Sequence, residues 1–163
     1  MPQTEMEEKF LTEASIFTAR GDSWRLEVDE SIDLDHPKAG WKQYSDNTSA
    51  WFECRWCNRR WPSNWVRVVF NMRLTNNQGV VKVRLYRQSC NHCLGAKMEE
   101  PSISSDNIDI LLENLLENIR IECYGEDLVR RNRQAVSLDV RSSHDPHNCQ
   151  GCRDGICGGT SFS

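Results

Sequence analysis

The chain has 163 residues, of which 38% are hydrophobic and 27% are charged, and its formal net charge is −4. These values are typical of one soluble domain, and no stretch approaches the ~20 apolar residues of a membrane-spanning helix. The acidic N-terminus also lacks the apolar core of a secretory signal peptide, so we expect this chain to be cytoplasmic.

The charge is distributed unevenly along the chain. Residues 51–97 contain nine basic residues against one acidic residue, whereas the segments 1–50 and 98–163 each have a net charge of −6. This segregation predicts either a face that binds polyanions or basic side chains that pair with the acidic flanks when the domain folds. The three segments are expected to form a single domain, 1–163.

The segment 1–50 is predicted to form a helix, a strand and a loop. The capping-box spacing of Thr4–Glu7 and the recurrence of apolar residues predict a helix from about Glu5 to Ala19, ended by Gly21. Apolar and charged residues alternate over Trp24–Val28, which indicates a half-buried strand. The acidic, turn-rich stretch 29–47 is predicted to be a surface loop.

The segment 51–97 is predicted to contain a β-hairpin between two cysteine pairs. Apolar residues alternate over 66–74 and again over 81–85, and Asn76-Asn77-Gln78-Gly79 supplies the turn between them. One face of the hairpin is therefore apolar. The intervening positions predict a basic opposite face that comprises Arg67, Arg73, Lys82 and Arg84.

The segment 98–163 is predicted to contain a helix, a strand and a metal-binding cluster. Ser105 or Asp106 can cap the helix, Tyr124-Gly125 ends it, and its apolar stripe is expected to pack on the sheet. The stripe consists of Ile108, Leu111, Leu112, Leu115, Ile119 and Cys123. Cys123 is read as a small buried hydrophobe, with a spare metal ligand as the alternative. The alternating residues Val136, Leu138 and Val140 predict a further strand.

Seven cysteines and one histidine have the spacing of two closed zinc sites. They are Cys54, Cys57, Cys90, Cys93, His144, Cys149, Cys152 and Cys157. In a reducing compartment such pairs are more often metal ligands than disulfides or redox dithiols, and two intervening residues let both thiolates face one tetrahedral metal. The fold is therefore expected to be α+β, a zinc-ribbon-like β-hairpin sheet with packed helices and two structural zinc ions.

The pairing of these ligands is open from spacing alone. In a sequential arrangement Cys54, Cys57, Cys90 and Cys93 form the first site and the last four ligands form the second. An interleaved arrangement would join Cys54/Cys57 to Cys149/Cys152, and the sequential one is favoured because the hairpin joins the first two pairs. His147 competes with His144 as the imidazole ligand, and His92 is expected to point outward.

Catalytic activity is not expected. A catalytic zinc keeps one coordination position for water, whereas sites with three or four thiolates are closed and structural. No His-x-Glu of a zinc deaminase, Gly-rich phosphate loop, nucleophile elbow or His-Glu-x-x-His occurs in the sequence.

At these motifs the sequence resembles the receptor-transporting protein family, which carries the three-C-x-x-C zinc finger. The matching phrases are Gly40-Trp41-Lys42-Gln43-Tyr44, Trp51-Phe52-Glu53-Cys54-Arg55-Trp56-Cys57, Trp61-x-Ser63, the stretch from Gly79 to Cys90, and His144-Asp145-x-x-Asn148-Cys149-x-x-Cys152-x-x-Gly155-Ile156-Cys157. The last phrase is most similar to the interferon-induced member, and it selects His144 over His147.

The resemblance implies that the protein assists G-protein-coupled receptors to the cell surface. It also implies a link to antiviral defence, since some family members are interferon-induced. Members usually end in a polar linker and one transmembrane helix, which the 163 residues lack. A full-length protein with that anchor would be membrane-bound and face the cytosol. No catalytic residues follow from the resemblance.

Two functions of different classes are therefore predicted, a receptor-trafficking chaperone and an RNA-binding antiviral module. For the second, cations and aromatic side chains alternate as single-stranded RNA binding requires. The residues proposed for this interface are Arg55, Trp56, Arg59, Arg60, Trp61, Arg67 and Arg84. In the competing interpretation Trp51, Trp61 and Trp65 only cover a zinc knuckle, and the arginines pair with the acidic flanks.

Overall fold

The computed structural model describes residues 2–130, 133–138 and 149, which form an α+β domain as predicted. The main sheet has four strands in the order β1-β4-β3-β2, namely β1 (Ser23–Val28), β2 (Lys42–Glu53), β3 (Arg60–Thr75) and β4 (Gln78–Leu85). Two short strands, β5 (Gln88–Ser89) and β6 (Met98–Glu99), pair separately. The helices are α1 (Pro2–Glu13), a 3-10 helix (Ala14–Arg20) and α2 (Ser105–Tyr124). None of the helices in the described ranges is long and apolar enough to span a membrane.

The predicted hairpin is confirmed as β3 and β4. The strands pair antiparallel up to Thr75 and Gln78, so the turn consists of Asn76 and Asn77 alone, with φ angles of 51° and 63°. Two consecutive positive φ values are the signature of a tight hairpin turn, and asparagine tolerates them better than most residues. Gly79, predicted within the turn, instead lies in β4 beneath the Trp24 ring.

The prediction of a loop over residues 29–47 is wrong from Lys42 onward, because this part of the chain belongs to the long strand β2. Main-chain pairing with β3 runs from Lys42 opposite Met72 to Glu53 opposite Arg60, with one irregularity between Thr48 and Ala50. The polar sequence Lys42–Asn47 lacks the alternation of apolar and polar residues that marks a strand, because its side chains contact polar groups of β3 as well as apolar ones. The Gln43 amide, for example, donates to Asn71 Oδ1 at 2.7 Å.

Helices and sheet enclose one main core. The apolar stripe of α2 is buried as predicted, and Cys123 packs against the core at its end. The helix begins one residue earlier than expected, because the Ser104 side chain accepts the Asn107 N–H at 3.2 Å, and Gly125 ends it with φ 63°. The predicted N-terminal helix is also present, but its second half is a 3-10 helix that stops at Gly21.

The strand predicted from Val136, Leu138 and Val140 is not regular over 133–138, and Val140 lies outside the described residues. Asparagine side chains hold this segment instead, and each donates to and accepts from the main chain of one residue. The pairs are Asn114 with Arg133 (2.8 and 3.0 Å), Asn107 with Val136 (3.1 and 2.7 Å) and Asn64 with Leu138 (2.9 and 2.6 Å). These amides take the place of a neighbouring strand, so side chains rather than a β-ladder satisfy the main chain.

Candidate metal centre

Four cysteine sulfurs meet at one end of the sheet. Cys54 and Cys57 lie between β2 and β3, Cys90 and Cys93 follow β5, and all four sulfurs lie within 4.8 Å of one another. The Sγ–Sγ distances are 3.8 Å for Cys54–Cys93 and 3.7 Å for Cys57–Cys90. A tetrahedron of thiolates about 2.3 Å from a zinc ion has sulfur–sulfur edges of about 3.8 Å. The donor set and its spacing therefore fit a closed zinc site.

The two C-x-x-C turns have matching internal hydrogen bonds. In each turn the first cysteine is buried, and its sulfur accepts the main-chain N–H of the residue two positions later, Trp56 for Cys54 and His92 for Cys90, both at 3.4 Å. Asn58 then reverses the chain with φ 60°. These bonds orient the sulfurs toward the common centre and stabilise their charge. The side chain of His92 is exposed, as predicted.

The four thiols do not ionise equally readily in the absence of a cation. Burial would raise the pKa of Cys90, but the His92 N–H and the neighbouring thiols lower it to about 7. Hydrogen bonding to Cys57, together with burial, raises the pKa of Cys93 to about 12. One sulfur thus carries charge readily while a neighbour resists ionisation. A divalent cation would let all four ionise, because it offsets their mutual repulsion.

Glu99 on β6 fixes the first cysteine turn, a role that the sequence analysis missed. Its carboxylate accepts the Arg55 main-chain N–H at 2.9 Å and the Arg55 guanidinium at 3.1 to 3.3 Å. Burial would raise the pKa of Glu99, but the hydrogen bonds and charge of Arg55 outweigh burial and lower it. The only sequence signal was an acidic residue soon after the second cysteine pair, which does not specify a partner.

Cys149 is the one residue of the predicted second site that the structure describes. It is buried, and its main chain forms an antiparallel bridge with Gln88, which precedes Cys90 by two residues. The four-sulfur group consists of Cys54, Cys57, Cys90 and Cys93 without Cys149, which is the sequential rather than the interleaved arrangement. The other predicted ligands, His144, Cys152 and Cys157, and the competing His147 lie outside the described residues.

Three residues of the predicted RNA-binding face are buried or already paired within the fold. Arg84 is only 8% exposed and donates to the Ile32 carbonyl at 3.1 Å and to the Tyr86 hydroxyl at 3.2 Å. Trp61 is also 8% exposed, and its indole N–H donates to Gln88 at 2.9 Å. Arg55 is paired with Glu99, as described above.

Much of the opposite face of the hairpin is covered, although Arg73 is exposed and its guanidinium lies 4.5 Å from the Trp41 ring centre. Ile32, Val69 and Tyr86 form a second small core there, and acidic residues of the segment 29–33 reach the basic positions. The ion pairs are Lys82–Asp29 at 3.3 Å, Arg84–Asp33 at 3.7 Å and Arg87–Glu30 at 2.9 Å. The predicted pairing between basic centre and acidic flank therefore occurs on this face.

An aromatic and basic surface remains beside the first cysteine turn. Trp56 is 54% exposed, and the guanidinium of Arg60 lies 5.1 Å from the ring centre of Trp51, which is itself partly exposed. The guanidinium of Arg59 lies 5.1 Å from the ring centre of Trp61. We call Trp51, Trp56, Arg59 and Arg60 the knuckle surface. Arg67 is half-buried on β3.

Residues 47–155 match the model of a zinc-ribbon family with three CxxC pairs, described as a zinc-binding domain. The chain belongs to this family. Its relatives include receptor-transporting proteins. The chain is 36% identical to human receptor-transporting protein 4, in an alignment that covers 83% of this chain and 57% of the relative. It is 34% identical to human receptor-transporting protein 1, with 83% of this chain and 52% of the relative covered. Mouse receptor-transporting protein 2 is 33% identical over 83% and 62%. The chain thus spans little more than half of these relatives. No solved structure matches it.

Proposed function

We propose that this chain is a non-catalytic, zinc-stabilised accessory domain that promotes the delivery of G-protein-coupled receptors to the cell surface. The observation that carries the proposal is the closed four-sulfur centre in a chain related to receptor-transporting proteins. Four thiolates leave no coordination position for a substrate or an activated water, so the metal has a structural role. The eight ligands assigned from the sequence extend this proposal to a second structural zinc ion.

The metal would act by fixing the surface at its end of the sheet. The first cysteine pair connects β2 to β3, and the second follows β5, so one ion would hold together the main sheet and the small sheet. Cys54 also donates its main-chain N–H to the Arg59 carbonyl at 2.8 Å, which connects the cysteine turn to the knuckle surface. A receptor segment would then meet a preformed surface and would not have to order it on binding.

The test is a surface-delivery assay in cells that express a receptor with an extracellular epitope. Flow cytometry of intact and permeabilised cells gives the surface fraction with and without this chain. We expect the chain to raise that fraction, Cys90→Ser to abolish the effect, and Cys123→Ser, which alters a cysteine outside the cluster, to retain it. A chain that leaves the surface fraction of receptors unchanged, although it is folded and zinc-loaded, would contradict the proposal.

A second function, RNA binding in antiviral defence, is favoured by the knuckle surface. Exposed Trp56 offers a face on which an unpaired base can stack, and Arg59 and Arg60 lie three and four residues further along the chain. Lys97, near the second cysteine pair, is exposed as well. This surface is smaller than the one predicted, because Arg55, Trp61 and Arg84 are paired or buried.

Fluorescence anisotropy with labelled RNA at several salt concentrations tests this second function. Reversing both charges, Arg59→Glu with Arg60→Glu, should lower the salt slope by about 1.4, since each phosphate contact on a single strand contributes about 0.7. Trp56→Ala should weaken binding to single strands more than to duplexes. Lys38→Glu, an exposed position in the loop between β1 and β2, is the control. An unchanged affinity and slope in the double variant, with zinc content intact, would exclude this interface.

A further inference from the structure

Strand β1 forms an open edge of the main sheet. It pairs on one side only, parallel to β4, with continuous register from Ser23 opposite Gln78 to Val28 opposite Val83. Within the described residues no strand lies along its outer side. Such an edge presents unpaired main-chain N–H and C=O groups that another strand can bind.

The hydrogen bonds to β4 determine which residues of β1 direct their main-chain N–H and C=O groups to the open edge. Ser23 donates its N–H to the Asn77 carbonyl at 3.0 Å, and Asp29 donates to the Val83 carbonyl at 2.9 Å. Main-chain groups alternate sides along a strand, and the register has no shift between these two bonds. The odd-numbered residues therefore face β4, and Trp24, Leu26 and Val28 direct their N–H and C=O groups to the open edge.

This arrangement is self-complementary about Leu26. Suppose that two copies of β1 run antiparallel with the two Leu26 residues opposite each other. The main-chain groups of both Leu26 residues then point to the open edge and exchange a pair of hydrogen bonds. Trp24 then lies opposite the second copy's Val28, and these two also face outward. Arg25 lies opposite Glu27 of the second copy, at a non-hydrogen-bonded position where side chains come closest.

The charges agree with this register and not with its alternatives. Arg25 and Glu27 are both partly exposed, with side-chain exposures of 59% and 43%, and they contact each other at 3.5 Å within one strand. In the antiparallel pair each gains an opposite charge, whereas a parallel, in-register pair would place like charges together. Edge strands are commonly protected against pairing by prolines or charged side chains; β1 has no proline, and its two charges are of opposite sign, so they attract rather than repel in this register.

We propose that two copies of this chain associate through β1, antiparallel and with the two-fold axis at Leu26, so that their sheets become continuous. The buried side chains of Trp24 and Leu26 keep their places in each core, because only main-chain groups and the two charged residues form the contact. A strand of six residues supplies a small interface. The association is therefore expected to be weak, in the class that buries below ~1,200 Å².

Sedimentation equilibrium of the zinc-loaded chain, up to about 500 µM because the interface is small, tests the proposal. We expect a monomer–dimer equilibrium. Arg25→Glu and Glu27→Arg, each alone, should weaken self-association at least about tenfold, because each places like charges opposite each other. Mixing the two variants should restore a dimer, now a heterodimer, since the opposed positions again carry opposite charges. The double variant should also self-associate.

Amide hydrogen exchange locates the contact. The N–H groups of Trp24, Leu26 and Val28 should become protected as the protein concentration rises, while the already bonded N–H of Arg25 should not change. A chain that stays monomeric over the full range would overturn the proposal. So would a dimer of undiminished affinity in both charge variants, or concentration-independent protection of Leu26, which would show that the chain itself covers this edge.

Discussion

Replacing Cys90 by serine tests the metal centre most directly. Cys90 is 1% exposed, and its sulfur lies 3.7 Å from that of Cys57. The change removes one of four thiolates and the acceptor of the His92 N–H. Losing an outer-shell contact already lowers metal affinity 10- to 100-fold, so the loss of a ligand should lower it by about 100-fold or more.

The expected loss of stability follows from linkage. At free zinc about 100 times its dissociation constant, binding stabilises the native chain by about 2.7 kcal/mol. A 100-fold weaker site leaves about 0.4 kcal/mol under the same conditions, so Cys90→Ser should cost about 2.3 kcal/mol. For a chain of this length that corresponds to a Tm lower by about 5–9 °C.

Thermal unfolding in a zinc buffer, with and without a chelator, measures both quantities. The native sequence should lose stability when zinc is chelated, whereas Cys90→Ser should respond little because it has already lost the site. Cys123→Ser is the matched control, since that thiol lies at the end of the α2 stripe and outside the four-sulfur group. If Cys90→Ser keeps the zinc-dependent Tm shift of the native chain, these four sulfurs are not a zinc site.

Three further outcomes are expected. Asn107→Leu removes both hydrogen bonds to Val136, so the free energy of opening the segment 133–138 should fall by about 1–3 kcal/mol. Proteolysis within this segment should then be faster, and an unchanged cleavage rate would contradict the prediction. Gly79→Ala would place a Cβ 2.1 Å from the Trp24 ring, so urea unfolding should show a loss of about 1–3 kcal/mol. Folding lowers the pKa of Glu99, so its carboxylate contributes to the stability of the fold above the ordinary pKa of 4.5. This contribution to stability is lost as the pH falls through the lowered pKa of the folded state. The stability difference between the native chain and Glu99→Gln should therefore shrink below about pH 4.5, which denaturation at several pH values checks.

The hairpin and α2 could be predicted because their patterns are strong and local. Alternating apolar residues on β3 and β4, and the helical stripe of α2, all face one core, so pattern and burial agree. Strand β2 could not be predicted in its first half, since its pairing with β3 is made by the main chain and is independent of side-chain pattern. The asparagines that hold 133–138 gave no signal either, because each acts on a segment distant in sequence.

Of the metal site, the cysteine spacing predicted the ligands and the intervening hairpin favoured the pairing that the four sulfurs show, but neither indicated what supports them. Two residues between cysteines fix a turn, and a hairpin between the turns brings them together. The salt bridge of Arg55 to Glu99 depends instead on the pairing of β5 with β6, two strands of two residues each. Strands this short have no periodicity that a sequence could reveal.

The charge segregation of the sequence had two explanations, and the structure shows the ion pairs that one of them predicts. On the covered face of the hairpin, Lys82, Arg84 and Arg87 meet acidic residues of the segment 29–33, which reaches across the sheet. The polyanion interpretation therefore depends on Arg59 and Arg60, whose guanidinium groups lie over tryptophan rings next to the first cysteine turn. Because the main chain of Arg59 is bonded to Cys54, an RNA interface built from these residues would depend on the same metal ion as the fold.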